Sequence, residues 1–557
     1  MAKIITPADA AKRLEDGSEI ALLDVREIMR FGKGHVLRAT NLPLSRLEFS
    51  IRDVVPRLTT PILVMDAGDG RAAIAKRRIE AMGYTDISVV DGGAPGWEAA
   101  GLPLFPEIEV PTKGFSAFAR INGKPNFISP NELKAALESD EDWIVLDSRP
   151  RPEYQAGNIP GSIDAPGADV LRWFDNLVPD PNTKVCVNCM SATRGILGGL
   201  SLVAAGVPNE VRVLHHGTRG WLLDGHELER GADRFVGPIS EDAQVAARQR
   251  AEAIATRAGL PRIDRAGLDD RRTEASRTTY LFDVRSPEEF EAGHLPGARN
   301  APYGSIIMSP DRYFGTLNAR LVIADDDTVR ATINALWLAQ MGWGDVAIYT
   351  DGLEGSDLES GPVADTTPAL PAAKSITPAD LHSALADGDV AVIDVGPSPD
   401  FVAAHIAGAS WCLRPDLAEH IPSAGKTVVL TSPDGAYARF AASDTQDVES
   451  SDVAVLEGGI EAWRAAGLPV ETGEANMLTP RDDAFLASSE RPGDQRQNVI
   501  NYLDWETTLM DDIEKAGAVP YQNLFWIRGK SGRATSGAAR LALVMAARLR
   551  AITADFH

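Results

Sequence analysis

Cysteine is scarce in this chain: Cys186, Cys189 and Cys412 are the only three in 557 residues. That is too few to staple a secreted protein of this length, and it fits a reducing compartment. Long apolar runs are also missing, none approaching the roughly 20 residues that cross a bilayer, so no membrane association is expected. The opening Met-Ala-Lys-Ile-Ile-Thr-Pro has no apolar core followed by a small-residue cleavage site, and a cytoplasmic location is expected. Positive charge is in deficit, with 55 Lys and Arg against 79 Asp and Glu and a net charge of −24. Such a field repels phosphate backbones and anionic lipid, which excludes nucleic acid and membrane surfaces as partners. A small anion would need a local positive site.

What the chain does have is ordinary globular composition, 44% apolar and 24% charged, at a length that divides into several domains of roughly 100 to 150 residues. One pattern recurs four times. It begins with a strand ending in Asp: Asp24-Val-Arg26, Asp147-Ser-Arg149, Asp283-Val-Arg285 and Asp394-Val. A short string follows: Gly34-His35-Val36, Gly157-Asn158-Ile159, Gly293-His294-Leu295 and Ala404-His405-Ile406. The spacing suits whole domains in series rather than a solenoid. The modules are placed at 1–106, 127–235, 259–362 and 375–474, with a helical tail at 475–557.

Within each module a continuous apolar run, such as Ile62–Met65 or Lys184–Val187, leads through a short polar loop into an Ala/Leu-rich segment of helical spacing. Apolar strands alternating with helices indicate an α/β fold, a parallel sheet with helices on both faces. Three modules close on a Gly-containing turn and a Trp: Trp97, Trp221 and Trp463; the third, at Asp351-Gly352-Leu353, lacks it. Glu241–Gly259 reads as a helical connector and 362–373 as a Pro-rich linker. In the tail, helices are expected over 498–515 and 535–551.

Together the Asp-x-Arg strand end, the Gly-His-Ile string, the polar loop and the Gly-Gly-x-x-x-Trp ending resemble the rhodanese (thiosulfate:cyanide sulfurtransferase) family, in four tandem copies. Only the second copy carries a nucleophile, in the loop Cys189-Met190-Ser191-Ala192-Thr193-Arg194. A strand-loop-helix turn surrounds the sulfur with main-chain N–H groups and the positive end of a helix dipole. This field is expected to favour the thiolate, which attacks sulfane sulfur and holds it as a persulfide. The resemblance implies a ping-pong sulfurtransferase with no cofactor and no metal, taking sulfur from small donors such as thiosulfate, 3-mercaptopyruvate or glutathione persulfide. Thiols, cyanide or a sulfur-accepting protein would receive it.

By the same resemblance Arg194 and Arg149 are expected to meet a donor anion, while Ser191 is similar to the loop serine of mercaptopyruvate sulfurtransferases. Ala192 stands where the family has a glycine, which would alter the loop if φ is positive there. His215 and His216 are candidates for tuning the thiolate or recognising a carboxylate, against a plain surface turn. Asp147 recurs in every module, which points to a fold-level hydrogen bond. Asn158, in place of the usual His, is read as structural, on surface-turn grounds.

Counting back five residues from Arg71, Arg330 and Arg439 gives Asp66, Asp325 and Asp434 at the cysteine position of the other modules. A carboxylate forms no persulfide, so these modules are expected to be silent, each Asp capping the following helix; the alternative is that they shape access to Cys189 or bind an acceptor protein. Cys186, inside the strand, is read as packed core rather than half of a redox pair. Two competing functions remain open. Cell-cycle phosphatases and arsenate reductases share the architecture but use a loop one residue longer, and a sulfur-relay or regulatory scaffold would show little free turnover.

Overall fold

The computed structural model describes residues 3–353, 357–388, 390–421, 427–445 and 452–524. The helix expected over 535–551 lies outside the described residues. Among the described residues, no helix is long and apolar enough to cross a membrane.

Each module is built on a five-stranded parallel sheet of one topology. In the second, the order across the sheet is Phe127–Ile128, Val211–Leu214, Lys184–Asn188, Trp143–Asp147, Ile163–Asp164. The central strands are buried on both faces, which is why they read as unbroken apolar runs rather than alternating ones. Val185, Cys186 and Val187 have no exposed surface. The first module's sheet is extended by a strand from the third: Thr316–Leu317 pairs antiparallel with Ile20–Ala21.

The recurring strings are fold determinants. Arg26, Arg149 and Arg285 each clamp the carboxylate two residues earlier and a carbonyl eight residues later, that of Gly34, Gly157 or Gly293. His35, His294 and His405 stack on Phe31, Phe290 and Phe401 at ring separations of 3.8, 3.7 and 3.9 Å, each with Nδ1 against that Phe's carbonyl. Asn158 serves the same purpose, donating from Nδ2 to the Tyr154 carbonyl at 3.1 Å. Its role is structural, as expected, but it is fully buried, so the surface-turn ground for that reading of Asn158 is corrected. Trp97, Trp221 and Trp463 donate to the carbonyls of Pro103, Glu227 and Pro469 and so tie each module's last helix to the chain beyond it.

The fourth module breaks the arginine rule, with a consequence for stability. Gly396 replaces the arginine because a Cβ there would lie 2.7 Å from Pro433 Cδ. Asp394 keeps only the Gly396 amide at 2.8 Å, and burial pushes its carboxyl up to about 7. A folded state that holds its proton more tightly than the unfolded chain loses stability as pH rises from the ordinary value of 3.8 to about 7, and levels off above that. Asp394→Asn is therefore expected to stabilise this module at pH 8, by on the order of 1 kcal/mol or more, and to change little at pH 4. Calorimetry at both pH values checks this.

The segments outside the four sheets hold the modules together. The helix Val110–Gly123, between modules one and two, was not foreseen from the sequence. It packs along the second module's helix Thr193–Ala205 and against the tail helix Gln495–Lys515. The connector helix Glu241–Ala258 forms as expected. The tail reaches its helix through Arg30–Asp482 and Arg491–Glu107 ion pairs with the first module and its exit segment.

Candidate functional site at the Cys189 loop

The strand Lys184–Asn188 runs in the middle of its sheet and stops at Asn188, whose side chain donates to Asp147 at 3.0 Å. Cys189 follows at once, and the helix Thr193–Ala205 begins four residues later. The turn into the next helix, Gly217–Leu223, anchors the outside of this loop. Thr218 N donates to the Cys189 carbonyl at 2.8 Å and Arg219 N to the Met190 carbonyl at 3.0 Å. The amides of Ser191 and Gly195 lie on the sulfur side of the loop and favour its anion. Gly217 is required here: its φ is +55°, and a Cβ would sit 2.2 Å from the Cys189 carbonyl oxygen. Ala192 has φ −143°, so the departure from glycine costs the loop nothing.

Two expectations about charge change. Arg194 does stand beside the thiol and favours its anion, but Nη1 and Nη2 are also held by the Glu153 carboxylate at 2.7 and 2.8 Å. Burial pushes the Cys189 thiol up, and it outweighs Arg194 and the two amides. Against the loop field that was expected to favour the thiolate stands burial: Cys189 is only 3% exposed, and desolvation favours the neutral thiol. Arg149, expected at a donor anion, is clamped by Asp147 and the Gly157 carbonyl, as Arg26 and Arg285 are clamped in two modules without a cysteine.

The cover over the loop comes from the tail, which the sequence did not reveal. Thr193 Oγ1 donates to Glu506 Oε1 at 3.3 Å, and the nearby Ser191 hydroxyl favours the charged form of the same carboxylate. Met190, Ser191 and Ala192 are half-buried beneath it. His215 and His216 line a cavity of about 30 Å³ with Ala192, Arg120 and Glu506. Burial lowers both imidazoles, His216 to about 4, so they are neutral at neutral pH and supply shape and hydrogen-bonding rather than charge.

The corresponding loops fill themselves. Asp66 accepts the Gly68 and Ala72 amides at 2.9 Å each, and Asp325 accepts those of Thr328 and Ala331 at 2.6 and 3.0 Å. In the fourth module, however, the position belongs to Ser432. It follows the strand Thr427–Thr431 directly, its Oγ accepts the Ala438 amide, and Gly459 packs on its carbonyl as Gly217 does on that of Cys189. Asp434 is exposed two residues later, and Tyr437 rather than Arg439 sits where Arg194 does. The assignment of Asp434 is corrected; the Thr431 strand end was the signal that locates Ser432.

Comparison with known proteins matches the rhodanese-like domain at residues 6–100, 129–224, 266–357 and 377–466. This chain belongs to the rhodanese-like family. A crystal structure of thiosulfate sulfurtransferase from Pseudomonas aeruginosa is 42% identical with a TM-score of 0.89, covering 93% of this chain and 99% of that one. An HTH-type transcriptional regulator of Mycobacterium tuberculosis is 32% identical over 117 residues, and an uncharacterized protein of Synechocystis is 32% identical over 92 residues. The chain spans 50% of the length of each of these curated relatives.

Four rhodanese-like modules thus share one loop geometry, and only the second fills it with sulfur. Cys186, one strand turn away, is buried in the core and its thiol is pushed far up by desolvation, and no disulfide joins it to Cys189. Cys412 is likewise buried, pushed up to about 12. Asp325, Asp326 and Asp327 bring three carboxylates together; Arg172 pairs with Asp326 and Asp327 and Arg330 with Asp326, which offsets part of the cluster's charge.

Proposed function

We propose that the chain is a sulfurtransferase in which Cys189 carries sulfur as a persulfide. The observation behind this reading is that a cysteine replaces the self-filling Asp or Ser in one loop of four while the loop amides stay turned inward. Deprotonated Cys189 attacks the outer sulfur of the donor. With thiosulfate the S–S bond breaks and sulfite leaves with the bonding pair; with 3-mercaptopyruvate a C–S bond breaks and pyruvate leaves as its enolate. The persulfide then gives its outer sulfur to cyanide or a thiolate, and the Cys189 thiolate returns. The Ser191 and Gly195 amides and Arg194 stabilise each anionic sulfur species.

A cytoplasmic site of action accords with free, reduced cysteines. The likeness to a thiosulfate sulfurtransferase over nearly the whole chain supports thiosulfate as one donor. Turnover with thiosulfate, 3-mercaptopyruvate and glutathione persulfide, each with cyanide and a thiol acceptor, tests the reading. No turnover with any of them, alongside capture of a protein partner, would favour the relay reading, which the covered loop also suits. Because burial raises the Cys189 thiol, the loading rate is expected to keep climbing with pH beyond the ordinary thiol value of 9.0. A plateau below pH 7 would contradict that.

A further inference from the structure

The tail helix Gln495–Lys515 lays one face over the catalytic loop, and its central acid is Glu506, 6% exposed. This carboxylate accepts from Thr193 Oγ1 at 3.3 Å, and the nearby Ser191 hydroxyl favours its charged form, so it acts on two of the six loop residues. Cations surround it. Lys113 lies in the adjoining helix Val110–Gly123, with Nζ 5.2 Å from the Tyr502 ring centroid and 5.6 Å from that of Trp505, one turn or less from Glu506. Arg219 lies over Tyr502 from the other side, 4.6 Å from its centroid. Both act electrostatically on Glu506. Arg120 fixes the backbone beside it, donating to the Thr507 carbonyl at 3.2 Å.

The Thr193 hydroxyl at hydrogen-bond distance, the Ser191 hydroxyl nearby and the longer-range field of Lys113 and Arg219 favour negative charge at one buried point, and here the protein's own carboxylate occupies it. In modules one and three the inward amides are likewise filled by a carboxylate, though from within the loop. We infer that Glu506 is a tethered stand-in for the anionic end of the sulfur donor, and that it sets donor specificity by charge at the mouth of the Cys189 loop. This deepens the sulfurtransferase reading and rests on it for the identity of the displaced ligand. A donor bearing a carboxylate or sulfonate takes over the Ser191 and Thr193 hydroxyls with Lys113 and Arg219 as counter-ions, once Glu506 withdraws. A neutral donor gains nothing from that exchange.

The test uses the full-length protein and two alkylating probes of similar size, anionic iodoacetate and neutral iodoacetamide, with Cys189 modification read by peptide mass. Glu506→Gln keeps the size and an acceptor oxygen but removes the charge. Iodoacetate is expected to react about tenfold faster with the variant than with the parent, while iodoacetamide changes less than about twofold. The ratio of the two rates, taken on one sample, is insensitive to partial unfolding, which would speed both. An unchanged ratio, whether because neither rate moves or because both rise together, would overturn the inference. The readout needs no sulfur transfer, so a shifted ratio in a protein that never loads sulfur would sink the enzymatic reading and leave the anion site standing.

Discussion

Cys189→Ser is expected to lose sulfur transfer by at least about a thousandfold, to background, while the fold is retained. Serine keeps the shape of the loop, as Ser432 shows by accepting the equivalent amide in the fourth module. An alkoxide, however, neither forms readily nor attacks sulfur, and no other thiol stands in the loop. Cys186 and Cys412 are buried with their thiols pushed up, so neither replaces it. Steady-state assays with thiosulfate and cyanide check this, with circular dichroism confirming the fold. Residual turnover within about tenfold of the parent would remove Cys189 from the chemistry.

Glu48→Ala is expected to be the most destabilising single change at a distance from the site, by about 3–5 kcal/mol. Glu48, in the first module, takes both Nη atoms of Arg414 from the fourth at 2.8 and 2.9 Å, with side-chain exposures of 7% and 1%. Asp444 accepts from Arg414 Nε at 2.7 Å and from Arg78 at 2.8 Å. Removing Glu48 leaves two guanidinium groups around one remaining carboxylate in a desolvated contact between modules. Unfolding of a chain this long is not two-state, so the first transition in a urea titration is the quantity to follow. Pairing the change with Arg414→Met, which removes the stranded charge, should recover part of the loss. A shift below about 1 kcal/mol in the single variant would mean the pair is solvated.

The parts of this architecture that are local were legible in the sequence. Asp24, Asp147 and Asp283 with their arginines act within two residues, and His35, His294 and His405 bond four residues back, so each pattern repeats wherever the chain repeats. The Cys189 loop was readable for the same reason, since strand end, loop and helix are contiguous. Ser432 was missed because an arginine count served as the ruler, and Arg439 lies two residues past the Arg194 position. The strand boundary at Thr431 was the better ruler.

Glu506 lay out of reach altogether. It bonds to Thr193 across 313 positions, and nothing in a solvated-looking helix sequence announces which acid will be buried. The raised thiol of Cys189 was also out of reach, for the sequence shows the positive field of the loop but not the desolvation that burial lays over it. Likewise the strand Thr316–Leu317 joins the first module's sheet only because module three lies beside it.

Intact-mass measurement of the full chain after incubation with thiosulfate tests the central claim most directly. The expected result is a gain of one sulfur atom, mapped to the peptide containing Cys189 and removed by cyanide. A protein that turns over thiosulfate without that adduct, or that carries it on Cys186 or Cys412, would contradict it.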